Sequence, residues 1–156
     1  VATMTEYEKS LPVAVIIPTE KIQNPLARIL SDYHLKQLHI AETEKYAHIT
    51  YFFNGGSPVP FPGEEWVAIP SPRVATYDLK PEMSASKITD KIFRLAEKKP
   101  YDFILINFAN ADMVGHSGNI KATIKAVETI DQQLGRLVKG FPESVFVITA
   151  DHGNAE

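Results

Sequence analysis

DFILINF, residues 102–108, and VFVIT, residues 145–149, are two continuous apolar runs separated by one long helical pattern. Runs of this kind, without polar alternation, belong to strands covered on both faces. Between them, from about Asn119 to Lys139, the residues Ile120, Ile124, Val127, Ile130, Leu134, Leu137 and Val138 recur as an inward stripe. Strand, helix and strand in this order predict a right-handed βαβ unit in a parallel sheet, and so an α/β protein.

Working outward, Ser84 is placed to cap a helix that turns Ile88, Ile92, Leu95 and Ala96 inward and ends near Pro100. The stretch Ala109 to Gly118 reads as a loop. Toward the N-terminus, Trp66 to Ile69 reads as a strand between Pro- and Gly-rich turns. Thr43 opens a predicted helix with Tyr46, Ile49, Phe52 and Phe53 on one face, closed by Asn54, Gly55 and Gly56. Leu38 to Ala41 suits a brief strand. Asn24 to about Leu35 carries Leu26, Ile29, Leu30 and Tyr33 at helical spacing, with Asn24 as cap and Pro25 at the first helical position. Val13 to Ile17, closed by Pro18, reads as an edge strand.

With 156 residues, 44% of them hydrophobic and 22% charged, the chain has the size and make-up of one ordinary domain. Its net charge of −3 offers no broad basic field, so neither nucleic acid nor a membrane surface is an expected partner. None of the apolar runs approaches the length of a membrane span, and the first residues lack the pattern of a targeting segment. A chain without cysteine must hold any metal through oxygen and nitrogen, and fits a cytoplasmic setting. The opening residue, Val rather than Met, suggests a start inside a longer chain.

In open α/β sheets, ligands gather beyond the carboxyl ends of the strands. Two acid and imidazole pairs are expected there. Asp112 and His116 follow the run 102–108, four residues apart, with Gly115 and Gly118 allowing a close bend. Asp151 and His152 directly follow the run 145–149. Either pair alone is as well explained by a capping carboxylate and a hydrogen-bonded ring. Two pairs on one sheet edge favour divalent ions such as manganese, zinc or magnesium, and a pair of ions suits in-line phosphoryl transfer. Lys45 is a surface residue on spacing alone, although its ammonium could also meet a phosphate oxygen. His34, His39 and His48 read as surface or second-layer residues.

IAETEKYAHITYFFNGG, FPGEEWVAIPSPRVATYDLKPEMSA, NFANADMVGHSGN and VITADHGNAE resemble, in order and spacing, the 2,3-bisphosphoglycerate-independent (cofactor-independent) phosphoglycerate mutases of the alkaline phosphatase superfamily. The resemblance implies a three-layer αβα fold with a mostly parallel sheet, here incomplete. It also implies an isomerase that interconverts 3-phosphoglycerate and 2-phosphoglycerate in glycolysis through a phosphoserine. Two Mn2+ ions are implied, with Co2+, Mg2+ or Zn2+ as alternatives, and no bisphosphoglycerate cofactor. Asp112 and His116 match ligands of one metal, Asp151 and His152 match ligands of the other, and Lys45 matches a lysine near the nucleophile.

Other parts of the family pattern have no counterpart. The motif of the nucleophilic serine and an early metal-binding aspartate do not occur, a further histidine ligand would fall beyond Glu156, and the substrate-holding arginines are not replaced by Arg73. Family members are roughly three times longer, beyond the usual size of one domain. The chain is therefore expected to be a C-terminal-half fragment, inactive alone, whose partners are phosphoglycerate and the remainder of its own chain in a monomeric parent. Residues 1–18 are expected to be the tail and hinge of an inserted transferase domain, and 19–156 part of the metal-binding phosphatase domain. The alternatives are a phosphopentomutase or phosphatase of the same superfamily, or a noncatalytic metal-binding domain.

Overall fold

The computed structural model describes residues 1–6, 10–18, 22–150 and 152–155. Its centre is a three-stranded, all-parallel sheet in the order β4-β3-β5, made of β3 (Gln37–Glu42), β4 (Glu64–Ile69) and β5 (Phe103–Asn107). All six residues of the central strand are buried. Leu38 and Ile40 project to one face and join Ile88 and Ile92 of α2 (Ala85–Ala96) and Leu137 of α4 (Ile120–Gly140) in the main core. On the other face, beside the buried Ala41, the polar residues Gln37 and His39 are buried and tied down. Gln37 Nε2 donates to the Ala27 carbonyl of α1 (Leu26–Asp32), and His39 Nδ1 meets the Ile49 carbonyl at 2.8 Å. Helices thus cover both faces of a parallel sheet, as the sequence predicted. The connection into β3 and β4 depends on Gly63: its φ is +89°, and a Cβ there would lie 2.8 Å from the Leu35 carbonyl oxygen.

The second apolar cluster positions the functional end. Met83, Ala109, Val114, Ala122 and Ala126 pack α3 (Asn110–Gly115) against α4, where Asn119 caps the long helix by accepting from the Ala122 N–H. The expected loop 109–118 therefore contains a helix. Its first turn is anchored by Asn110, whose Nδ2 donates to the Pro81 carbonyl.

Several other expectations are corrected. Residues 145–149 form no strand and are exposed, with Val145 at 93%. The βαβ closure read from the sequence is absent among the described residues, because β5 is a sheet edge with this run unpaired. On α4 the inward residues are Ala122, Ala126, Thr129, Gln133 and Leu137, whereas Ile120, Ile124, Val127 and Val138 face outward. The same inversion occurs in α1, where Ala27 and Ser31 are buried while Leu26, Ile29 and Tyr33 are exposed. Small side chains let helices approach closely, and the larger residues are displaced to the opposite side. α2 buries Ile88 and Ile92 as its spacing indicated and leaves Leu95 and Ala96 half-buried, and α4 buries Leu137 of its expected stripe.

The predicted helix from Thr43 is instead a 3-10 turn, Thr43–Lys45, followed by a π turn, His48–Phe52. Ile49 and Thr50 are β-branched and favour helix poorly, and Thr50 Oγ1 bonds back to the Tyr46 carbonyl. The widened turn leaves Phe52 exposed. Neither Asn24 nor Ser84 caps through its side chain: Pro25 precedes α1, and Ser84 Oγ donates to the Pro70 carbonyl. The edge strand at 13–17 shrinks to β2 (Ala14–Val15), paired in parallel with β1 (Ala2–Thr3) in a separate two-stranded sheet.

Candidate metal centre

Because β3 and β5 are neighbours and parallel, the turns after both strands emerge on one edge of the sheet. The turn after β3 carries Glu42-Thr43-Glu44-Lys45, and each residue is tied to a different segment. Ser84 N–H donates to Glu42 Oε1, and Thr43 Oγ1 accepts from Ser71 N–H at 3.3 Å. Tyr77 Oη donates to Glu44 Oε1 at 2.6 Å; that bond is the main reason its phenol is pushed up to about 12. Lys45 Nζ lies 2.6 Å from Asp112 Oδ2. Four anchors on four successive residues fix the backbone of this turn, and with it the origin of the lysine side chain.

Asp112, in the first turn of α3, is the hub. Its Oδ1 is 3.2 Å from His116 Nε2 and accepts from Asn154 Nδ2 at 2.7 Å. Its Oδ2 is met by Lys45 and lies 3.9 Å from His152 Nε2. Burial works to raise the pKa of this carboxyl, but bonds from Lys45 and Asn154 and the charges of Lys45 and His152 outweigh it and hold it below the ordinary aspartate value. The carboxylate is therefore ionised at neutral pH and is approached by nitrogen on both oxygens.

Of the residues singled out from the sequence, Lys45, Asp112, His116 and His152 are brought together, and Asp151 lies outside the described residues. Lys45 is 3% exposed, not a surface lysine. His39 is wholly buried in β3, and His34 and His48 are exposed away from Asp112. The residue that sequence reasoning missed is Asn154. Besides its bond to Oδ1 it donates to the Asp112 carbonyl at 2.9 Å, which docks the chain end on α3 without a strand at 145–149. Its position two residues after the Asp-His pair was the available signal.

A carboxylate oxygen with imidazole nitrogens is a donor set for borderline divalent ions. The two imidazoles approach different oxygens of Asp112, so each forms one oxygen and one nitrogen of a larger ligand set. Among the described residues, no group of three or more His, Cys, Asp and Glu side chains is arranged to hold a metal by itself. The residues present fit a divalent ion as part of a site, with further ligands required.

An α/β fold with a parallel sheet and an acid and imidazole cluster at its carboxyl edge defines a class of metal-handling proteins, and the chain belongs to the metalloenzyme superfamily, whose family model matches residues 11–156. Within it, the chain is similar along its whole length to 2,3-bisphosphoglycerate-independent phosphoglycerate mutases. It is 52% identical to that of Helicobacter hepaticus and 54% identical to that of Chloroflexus aurantiacus, covering 100% and 99% of this chain and 32% and 29% of theirs. It also superimposes on a crystal structure of Leishmania mexicana phosphoglycerate mutase at low cobalt concentration. There the TM-score is 0.78 and the identity 34%, over 89% of this chain and 26% of that one. The chain thus spans about a third of the length of the curated relatives it matches.

Proposed function

We propose that the chain supplies one part of the metal and phosphate site of a phosphoglycerate mutase that needs no bisphosphoglycerate, interconverting 3-phosphoglycerate and 2-phosphoglycerate. One observation carries this reading: Lys45, Asp112, His116 and His152 converge at one sheet edge in a chain with this degree of identity to such mutases. Asp112 with His116, and His152 with Asp151, would each contribute ligands to a divalent ion, manganese being the expected one. Such an ion, when bound, supplies Lewis-acid stabilisation of a phosphoryl group. Lys45 is the residue of this chain assigned to the phosphoryl oxygens, its backbone held in place by the Glu42, Thr43 and Glu44 anchors.

The rest of the machinery, a serine nucleophile and the groups that hold glycerate, would come from the remaining length of the parent. The outward aliphatic faces of α1 and α4 and the free edge of β5 are natural surfaces for that remainder to cover. Residues 1–18 would then be the hinge of an inserted domain, and 19–156 a part of the phosphatase domain. No helix among the described residues is long and apolar enough to cross a membrane, and a glycolytic role fits a cytoplasmic parent.

The test is a chimera in which this 156-residue chain replaces the matching segment of a full-length relative. With manganese the chimera is expected to form 2-phosphoglycerate from 3-phosphoglycerate, the Asp112→Asn chimera to lose that activity, and the chain alone to show none. A chimera that only hydrolyses phosphate esters or isomerises pentose phosphates would replace the mutase reading with another member of the superfamily.

A further inference from the structure

The ladder that joins β3 to β5 ends at the pair Ala41 and Asn107. Lys45 and Asp112 both lie beyond it, where strand pairing no longer sets the spacing of the two segments. Tyr77 spans that interval. It opens the 3-10 turn Tyr77–Leu79, and its ring packs against Met83, Ala109, Val114, Ala122 and Ala126, the cluster that holds α3 to α4. Its hydroxyl donates to Glu44 Oε1 at 2.6 Å, on the residue next to Lys45. Asp78 ties the same turn to α4, accepting at 3.4 Å from Nδ2 of the cap residue Asn119.

We infer that Tyr77 is a positioning residue of the site: its ring, seated on the layer that carries Asp112, holds the turn that carries Lys45 at a fixed spacing through Glu44. The inference rests on the function proposed above and adds the residue that sets the distance between two halves of the site. The chemistry of the side chain suits the task. A tyrosine ring is rigid and turns on few bonds, so the span from its packed face to its hydroxyl is constant. A hydroxyl donating to a carboxylate makes a short, charge-assisted bond, stronger than one between neutral groups. That bond pushes the phenol up to about 12, so the donor keeps its proton throughout the neutral range. Groups that act together on one phosphoryl group must be held closely in place, and a strut beyond the end of the ladder does this for two segments that the sheet no longer joins.

Tyr77→Phe keeps the packed ring and removes the donor. In the chimera described above, supplied with manganese, this variant is expected to lower kcat about tenfold and leave KM within about twofold, the mark of misplaced groups rather than lost substrate binding. In a Glu44→Ala background the same substitution is expected to lower kcat no further, because the tyrosine acts through Glu44. An unchanged kcat, a loss confined to KM, or a full further loss in the Glu44→Ala background overturns the inference. A second measurement needs no catalysis: peptide-resolved hydrogen exchange of the 156-residue chain and of its Tyr77→Phe variant. Faster exchange is expected at residues 42–47, with residues 85–96 of α2 unchanged. Unchanged exchange at 42–47, or equal acceleration in α2, also overturns the inference. If the unaltered chimera forms no 2-phosphoglycerate, the mutase reading fails, and the exchange result alone decides the role of Tyr77.

Discussion

The main-chain N–H of Ser84, at the start of α2, donates to the Glu42 carboxylate at the end of β3 at 3.3 Å. This bond joins the sheet to the helix that carries Ile88 and Ile92, and it sits at the root of the turn that presents Lys45. The second oxygen of Glu42 is buried without a hydrogen-bond partner among the described residues. Burial accordingly raises the pKa of this carboxyl, against the opposing bond from the Ser84 N–H.

A glutamate whose folded pKa lies above its unfolded value contributes most to stability below the unfolded pKa, and that contribution is lost as pH rises through the folded one. The Glu42 contribution is therefore expected to decline from about pH 4.5, its ordinary value, upward. Glu42→Gln keeps an acceptor for Ser84 and cannot ionise. Urea unfolding of both proteins from pH 4 to pH 8 should show a stability difference that grows in favour of the Gln variant as pH rises. A constant difference across that range would mean that Glu42 is not the group responsible.

Gly115 lies on α3 directly under the docked chain end: a Cβ there would stand 3.1 Å from the Asn154 carbonyl oxygen and 3.4 Å from its Cγ. Gly115→Ala is expected to push residues 152–155 away from Asp112 and to speed carboxypeptidase digestion of the C-terminus. Asn154→Ala should do the same by removing both bonds to Asp112. Digestion at the unaltered rate in both variants would show that these contacts do not hold the segment.

The two aliphatic faces predict opposite sensitivities. Ile92→Ala removes a wholly buried side chain from the main core and should cost about 2–5 kcal/mol. Ile124, 55% exposed on α4, should cost about 0.5 kcal/mol or less on the same substitution. Chemical denaturation measures both, and similar losses at the two sites would contradict the outward orientation of Ile124.

Exposed Ile120 and Ile124, together with Val127, form an aliphatic stripe that favours association in water. Replacing Ile120 and Ile124 by Gln should reduce concentration-dependent self-association in sedimentation velocity without lowering the unfolding midpoint. Unchanged sedimentation would show that the stripe is inert.

Sequence by itself determined the parallel α/β class, strands at 38–41, 66–69 and 102–108 that the fold sets at 37–42, 64–69 and 103–107, the helix that buries Ile88 and Ile92, and the residue types able to meet a metal. These are local properties, set by apolar run length, helical spacing and the chemistry of Asp and His. Tertiary structure decided which apolar residues are buried. Spacing locates an amphipathic face but not the surface available to cover it, so α1 buries Ala27 and Ser31 while exposing Leu26 and Ile29, and α4 buries Ala122 and Ala126 while exposing Ile120 and Ile124. Tertiary structure also decided how the site is assembled. The sequence paired the turn after β5 with residues 151–152 through a strand at 145–149. In the fold, the neighbour of β5 is β3, and this adjacency brings Lys45 to Asp112 from 67 residues away in the chain. Strand order depends on contacts distant in sequence, and no local pattern near Lys45 or Asp112 records it.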